Sequence, residues 1–184
     1  MSVHPPLPHR VAGSFALDLA NTISWRGTHR ERDYIADADD IAAWARAAGL
    51  VDESYTVPDA SRAACLADVH GLRAAITAAG AAVAAGAAPS EEALATIRDL
   101  AAHSLSSASL SGAPAIFTFA LDDRIVGPIA WAALDLFRGG DLDRLKQCPP
   151  DDCRWLFLDR TKNRSRRWCD MATCGNREKA RRSR

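Results

Sequence analysis

No run of apolar residues in this chain is long enough to cross a bilayer. The nearest is AAITAAGAAVAAGAA, residues 74–88. As a helix it rises about 22 Å, against roughly 30 Å of hydrocarbon. It is alanine and glycine rather than leucine, so a packed helix and no membrane partner are expected. The opening MSVHPPLPHR holds three prolines and no apolar core, unlike a secretory signal. The expected compartment is therefore cytoplasmic, where thiols stay reduced. Catalytic signatures are missing as well: there is no H-E-x-x-H, no P-loop, no G-x-S-x-G and no G-x-G-x-x-G. The five histidines, His4, His9, His29, His70 and His103, are scattered, and none is paired with a nucleophile. No enzyme is expected.

Net charge is absent too, but its distribution is uneven. Residues 1–144 hold 11 basic and 18 acidic side chains, and residues 145–184 hold 12 basic and 5 acidic. A balance of −7 followed by one of +7 suggests two modules with different partners, with a boundary near Asp141. Nearly half the 184 residues are apolar and alanine is abundant, which favours a soluble, helix-rich fold.

Periodicity supports that. DADDIAAWARAAGL predicts a helix with acids in its first turn, Ile41, Trp44, Ala45 and Ala48 on one face, and Gly49 just past its end. Residues 59–85 carry a helical stripe of Leu66, Val69, Leu72, Ile76 and Val83, interrupted by Gly71 and Gly80. Ser90 suits an N-cap before a helix burying Leu94, Ile97, Leu100 and Ala101. IVGPIAWAALDLFRGG predicts another helix. Residues 13–27 fit either a strand or a helix, and a helix from Ser14 to Gly27 is favoured. SLSSASLSGAP (104–114) has loop composition, and AIFTFALDD alternates like a strand.

Four of the five cysteines, Cys148, Cys153, Cys169 and Cys174, lie in the last 37 residues as C-x4-C-x15-C-x4-C. Two close pairs let two tight turns each offer two thiolates to one tetrahedral Zn²⁺. CPPDDC supplies the first turn, between KQC and the strand-like RWLFLD. The second pair precedes GNREKARRSR, placing Cys174 near a helix N-terminus. That geometry is treble-clef-like. Four thiolates fill the coordination sphere, which implies a structural ion. Cys65, alone in an alanine-rich helix, suits a core position.

FLDRTKNRSRRWCDMATCGNREKARR closely resembles the CGNR zinc-finger family, matching at the four cysteines and at Phe157, Asp159, Asn163, Ser165, Arg166, Arg167, Trp168, Met171, Gly175, Asn176, Arg177 and Lys179. FALDLANTISWRG is similar to the opening of the ABATE domain that usually precedes this finger. Thr161 departs from the family's more usual Ser, and Ser183 stands where an aromatic residue or His is expected. The resemblance implies an α-rich domain over residues 1–140, described as a stress-related transcriptional regulator, and a DNA-binding finger over 141–184. The expected fold class is mainly α (α+β): a helical N-terminal domain with little strand, then a small four-cysteine zinc module made of a β-hairpin and a C-terminal helix.

The basic residues flanking the cysteines are the candidate nucleic-acid contacts: Arg160, Lys162, Arg164, Arg166 and Arg167 in the loop, and Asn176, Arg177, Lys179, Arg181 and Arg182 in the last helix. Arg177, Arg181 and Arg184 fall near one helical face. Arginines hold phosphates, while Asn suits adenine and Arg suits guanine at base edges. The alternative is that Arg166 or Arg167 is structural, pairing with Asp151, Asp152 or Asp159 or stacking on Trp155 or Trp168. DNA is the favoured partner, and a zinc-stabilised adaptor for protein or RNA is the competing reading. Asn21 and Thr22 either line a ligand pocket or cap or cross-link helices, and the second is favoured. The first domain is expected to sense a small molecule or protein effector, or to form a homodimer.

Overall fold

A computed structural model describes residues 7–182 of the chain. His4, Ser183 and Arg184 lie outside the described residues. Among the described residues the fold is mainly helical, with three short two-stranded pairings.

Helix α1 spans Phe15–Ala20 and buries Ala16, Leu17, Leu19 and Ala20. It is shorter than the expected helix to Gly27 and leaves Phe15 exposed. The Ser14 side chain makes no cap bond, and the helix ends at Asn21, whose side chain is engaged elsewhere. The chain then forms β1 (Ile23–Ser24), antiparallel to β2 (Arg32–Asp33). Helix α2 (Ala38–Ala48) follows the sequence closely. The Asp37 carboxylate accepts from the amides of Asp39 and Asp40, and Gly49 closes the helix at φ +71°, a left-handed conformation that glycine adopts freely.

Helix α3 runs unbroken over Arg62–Ala84 and buries Val69, Leu72, Ile76 and Ala79 at helical spacing. Gly80 does not interrupt it. A Cβ there would lie 2.5 Å from Leu156 Cδ1, so the missing side chain lets the C-terminal segment approach the helix closely. Helix α4 (Glu91–Ser106) is capped by Ser90, whose hydroxyl accepts from Ala93 N. Part of the expected 104–114 loop is a strand: β3 (Ser109–Ser111) pairs with β4 (Ile116–Thr118), so the expected single strand over residues 115–123 is both shorter and partnered. Helix α5 covers Val126–Arg138.

Helix α3 packs against α1, α4 and α5, and also against β5 (Leu145–Gln147). Strand β5 pairs with β6 (Leu156–Leu158) in the register Leu145↔Leu158, Lys146↔Phe157 and Gln147↔Leu156. Leu145, Leu156 and Leu158 belong to the same buried cluster as the helices. Beyond the expected boundary at Asp141, the C-terminal segment therefore contributes side chains to the helical core. Helix α6 (Asn176–Arg182) follows a single π-helical turn at Met171–Gly175. No helix among the described residues is long and apolar enough to cross a membrane.

Candidate metal centre and basic surface

Each of the four cysteines is placed by a different local device. Cys148 follows β5, and its amide donates to Trp155 O at 2.8 Å, which carries the ladder one step past the strands. Cys153 ends the turn begun by the prolines, its amide bonding Pro150 O at 2.9 Å. Cys169 N donates to Cys148 Sγ at 3.4 Å. Cys174 sits in the π-helical turn, whose start is capped by Asp170 accepting from Ala172 N. This is the hairpin knuckle and helix end that the spacing predicts.

All four sulfurs are buried and lie within 4.8 Å of one another. Cys169 Sγ is 3.6 Å from both Cys153 Sγ and Cys174 Sγ. A tetrahedron with Zn–S bonds of 2.3 Å has edges of roughly 3.8 Å, so the donor set fits one Zn²⁺. Hydrogen bonding with Cys148 and Cys174 pushes the Cys153 and Cys169 thiols up. Hydrogen bonding from Cys148, Cys153 and Cys169 holds Cys174 down, helped by Arg177, whose Nη2 lies 3.5 Å from Cys174 Sγ. With all four positions held by sulfur, the ion is a fold-stabilising cross-link. Cys65 stays apart in the helical core, as expected. Burial pushes its thiol up to about 11, aided by the nearby Asp68 and Asp122 carboxylates.

The basic residues divide into two groups. Arg166 faces inward: its guanidinium lies 4.4 Å over the Phe157 ring and donates to Val11 O at 2.9 Å, to Trp168 O at 3.1 Å and to Cys169 O. Arg177 is held by Asp152 at 3.0 Å and sits 4.4 Å over the Trp25 ring. Arg160, Lys162, Arg164, Arg167, Lys179, Arg181 and Arg182 are exposed, as is Asn176, whose amide donates back to Ala172 O. Several make surface pairs, among them Arg164 with Asp143, Arg181 with Asp152, and Arg182 with Glu178. Arg167 lies over Trp168 at 5.3 Å.

Buried Asp159 organises the loop that carries the first five of these residues. It accepts from Lys146 Nζ at 2.6 Å, from Thr161 Oγ1 at 2.6 Å and N at 3.0 Å, and from Arg166 N at 2.9 Å. Burial would raise its carboxyl, but Lys146 and Thr161 outweigh that and hold it well below the ordinary range. The hydroxyl of Thr161 does what a Ser hydroxyl would do at this position. Lys146 Nζ also donates to Arg164 O and Arg166 O, so one ammonium draws both arms of the loop together.

Asn21 and Thr22 act as cross-links. Asn21 bonds both backbone groups of Leu156. Thr22 Oγ1 accepts from buried Arg73, which forms a bidentate pair with Asp33 at 2.6 Å. Trp25, Arg73, Asp33 and Lys146 carried no signal of this work in the sequence, because each acquires its role only through a partner distant along the chain.

Two family profiles match in this order. ABATE, described as "putative stress-induced transcription regulator", covers residues 13–140, and the CGNR zinc finger covers residues 144–184. The chain belongs to the ABATE family. Its ABATE part holds the helices and Asn21, and its CGNR part supplies the four-sulfur site. Both families are of regulator and zinc-finger type rather than enzyme families. No curated protein matches the chain.

Proposed function

We propose that this ABATE-family zinc protein is a cytoplasmic transcriptional regulator that binds duplex DNA through the exposed cations of its finger. The supporting observation is the surface balance of the finger. Over residues 145–182, eight cationic residues are exposed (Arg154, Arg160, Lys162, Arg164, Arg167, Lys179, Arg181 and Arg182), against one exposed carboxylate, Asp151. The other acids are less exposed: Asp159 is buried, Asp152 is mostly covered by Arg177 and Arg181, and Asp170 and Glu178 are half-buried. A loop tied by Asp159 and Lys146 presents its charges at little further entropic cost, which favours binding to a regular phosphate array. The contact set proposed is the exposed loop cations with Asn176, Lys179, Arg181 and Arg182. Arg166 and Arg177 serve as internal supports, and the four cysteines hold the ion. The helical part acts as the sensor for an effector or as a homodimerisation module.

Titration of fluorescent random duplex DNA across salt concentrations tests the reading. If about five phosphates are neutralised, log K falls against log salt with a slope near −4.5. A flat response would favour a finger that docks on protein. Preference for single-stranded RNA would favour stacking on Trp155 or Trp168. Selection of bound fragments from a random DNA pool then defines the sequence preference.

A further inference from the structure

A groove of about 440 Å³ runs between the start of α1, the turn after α2, β4 and the start of α5. Phe15, Leu50, Val51, Phe117, Phe119 and Pro128 form its apolar lining. The volume is that of a ligand pocket, and about three times that of a cavity which admits one benzene ring. Every residue that lines it belongs to the ABATE part.

The aromatic wall is already formed. Phe119 is seated against the bare backbone of α5 at Gly127, where a Cβ would overlap its ring. Phe117 lies 6.1 Å from Phe119 and meets Trp131 edge-on at 5.2 Å. Rings held in this way offer apolar surface without first having to be ordered. Phe15 opens α1 and stays exposed, while the next two residues of that helix are buried.

Two charged residues flank the apolar lining, Asp52 and Arg124. Both are exposed, and neither side chain has a hydrogen bond or ion pair among the described residues. The acids next to Arg124 in sequence are engaged elsewhere: Asp122 accepts from Ser61, and Asp123 accepts from Ser104 and Ser107. The remaining polar side chain on the groove, Thr118, is neutral. A purely anionic ligand would meet the Asp52 carboxylate, and a purely cationic one would meet the Arg124 guanidinium. Either is a like-charge juxtaposition, whereas a ligand that carries both charges satisfies both residues.

We infer that this groove binds a zwitterionic α-amino acid with a large apolar side chain. Its carboxylate pairs with Arg124, its ammonium with Asp52, and its side chain packs among Phe15, Phe117 and Phe119. The ligand touches one end of α1, and Asn21 at the other end bonds Leu156 of the finger. Occupancy is thus placed to alter how the finger is held. That consequence rests on the regulator reading proposed above, but the binding site does not.

Calorimetric titration of the full zinc-loaded chain with L-phenylalanine tests the site, with ¹⁵N-labelled indoles read on the same samples. Binding should saturate, with a Kd in the micromolar to millimolar range open to a ligand of about twelve heavy atoms. The indole of Trp131, which touches Phe117, should shift, and those of Trp25 and Trp168 should not. Three analogues each lack one feature: 3-phenylpropionate the ammonium, phenethylamine the carboxylate and glycine the ring. Each should bind about tenfold more weakly or worse. Arg124→Gln and Asp52→Asn, both at exposed positions, should weaken phenylalanine by a similar factor. No saturable binding, an unmoved Trp131, any analogue binding as tightly as phenylalanine, or full affinity in either variant would overturn the assignment. DNA affinity measured with and without phenylalanine separates the two claims: binding at the groove with no change in DNA affinity supports the site and removes the effector role.

Discussion

Asn21 completes the edge of β6: its side-chain amide donates to Leu156 O at 2.8 Å and accepts from Leu156 N at 2.9 Å, across 135 residues of chain. The carboxamide stands in for a neighbouring strand, satisfying both ladder groups of a residue whose N–H and C=O face away from β5. It is the most direct polar link between the ABATE helices and the finger. Hydrophobic packing at Gly80 and the bond from Trp155 Nε1 to Ile23 O at 2.9 Å reinforce it.

Asn21→Ala should therefore destabilise the fold by about 2–4 kcal/mol, since it strands a buried donor and a buried acceptor together. Urea unfolding followed by circular dichroism measures this. A loss below about 0.5 kcal/mol would mean that water replaces the amide at no cost.

Metal removal should be felt throughout the chain. Leu145, Leu156 and Leu158 lie in the helical core, so loosening the finger opens that core. Chelation, or Cys169→Ser, should lower the melting temperature of the helices by roughly 10 °C or more in one transition. A helical melt unchanged by chelation, with only the finger lost, would instead support two independently folding units divided near Asp141.

The two classes of arginine should separate in binding experiments. Lys162→Ala and Arg167→Ala should each reduce the salt slope of DNA binding by about 0.9 while leaving stability and zinc content unchanged. Arg177→Ala should lower stability, because it removes the partner of Asp152 and the cover over Trp25. A stable Arg177→Ala protein with weakened DNA affinity would move Arg177 back among the contacts.

Cys65 gives a pH-dependent prediction. A thiol with a pKa of about 11 is protonated in all but roughly one molecule in a thousand at pH 8. Its alkylation should rise about tenfold per pH unit until the pH passes 11. Mass spectrometry of native and unfolded samples at pH 8 should find Cys65 modified only in the unfolded one. Rapid native labelling would contradict the buried placement.

Where local chemistry decides the structure, the sequence is a good guide. Asp37 and Gly49 bound α2, Ser90 opens α4, and the cysteine spacing places four sulfurs around one point. Reading fails where a distant partner decides. Residues 21–27 have helical periodicity, yet Asn21 and Thr22 are taken by Leu156 and Arg73, and α1 stops. The serine-rich stretch before Gly112 has loop composition, but pairing with Ile116–Thr118 makes part of it a strand. The arginines of the finger look alike in sequence. Only the folded positions of Asp152, Trp25 and the 11–13 backbone reveal that Arg177 and Arg166 face inward.

That early backbone has a further consequence. Val11 O receives Arg166, Ala12 O receives the Leu158 amide, and Gly13 O receives Arg160. On the ribosome Val11 emerges 155 residues before Arg166. At about 5–20 residues per second, these three carbonyls wait roughly 8–30 s for their donors. During that interval the nascent helices lack Leu145, Leu156 and Leu158, so the β5–β6 hairpin is what closes their interior.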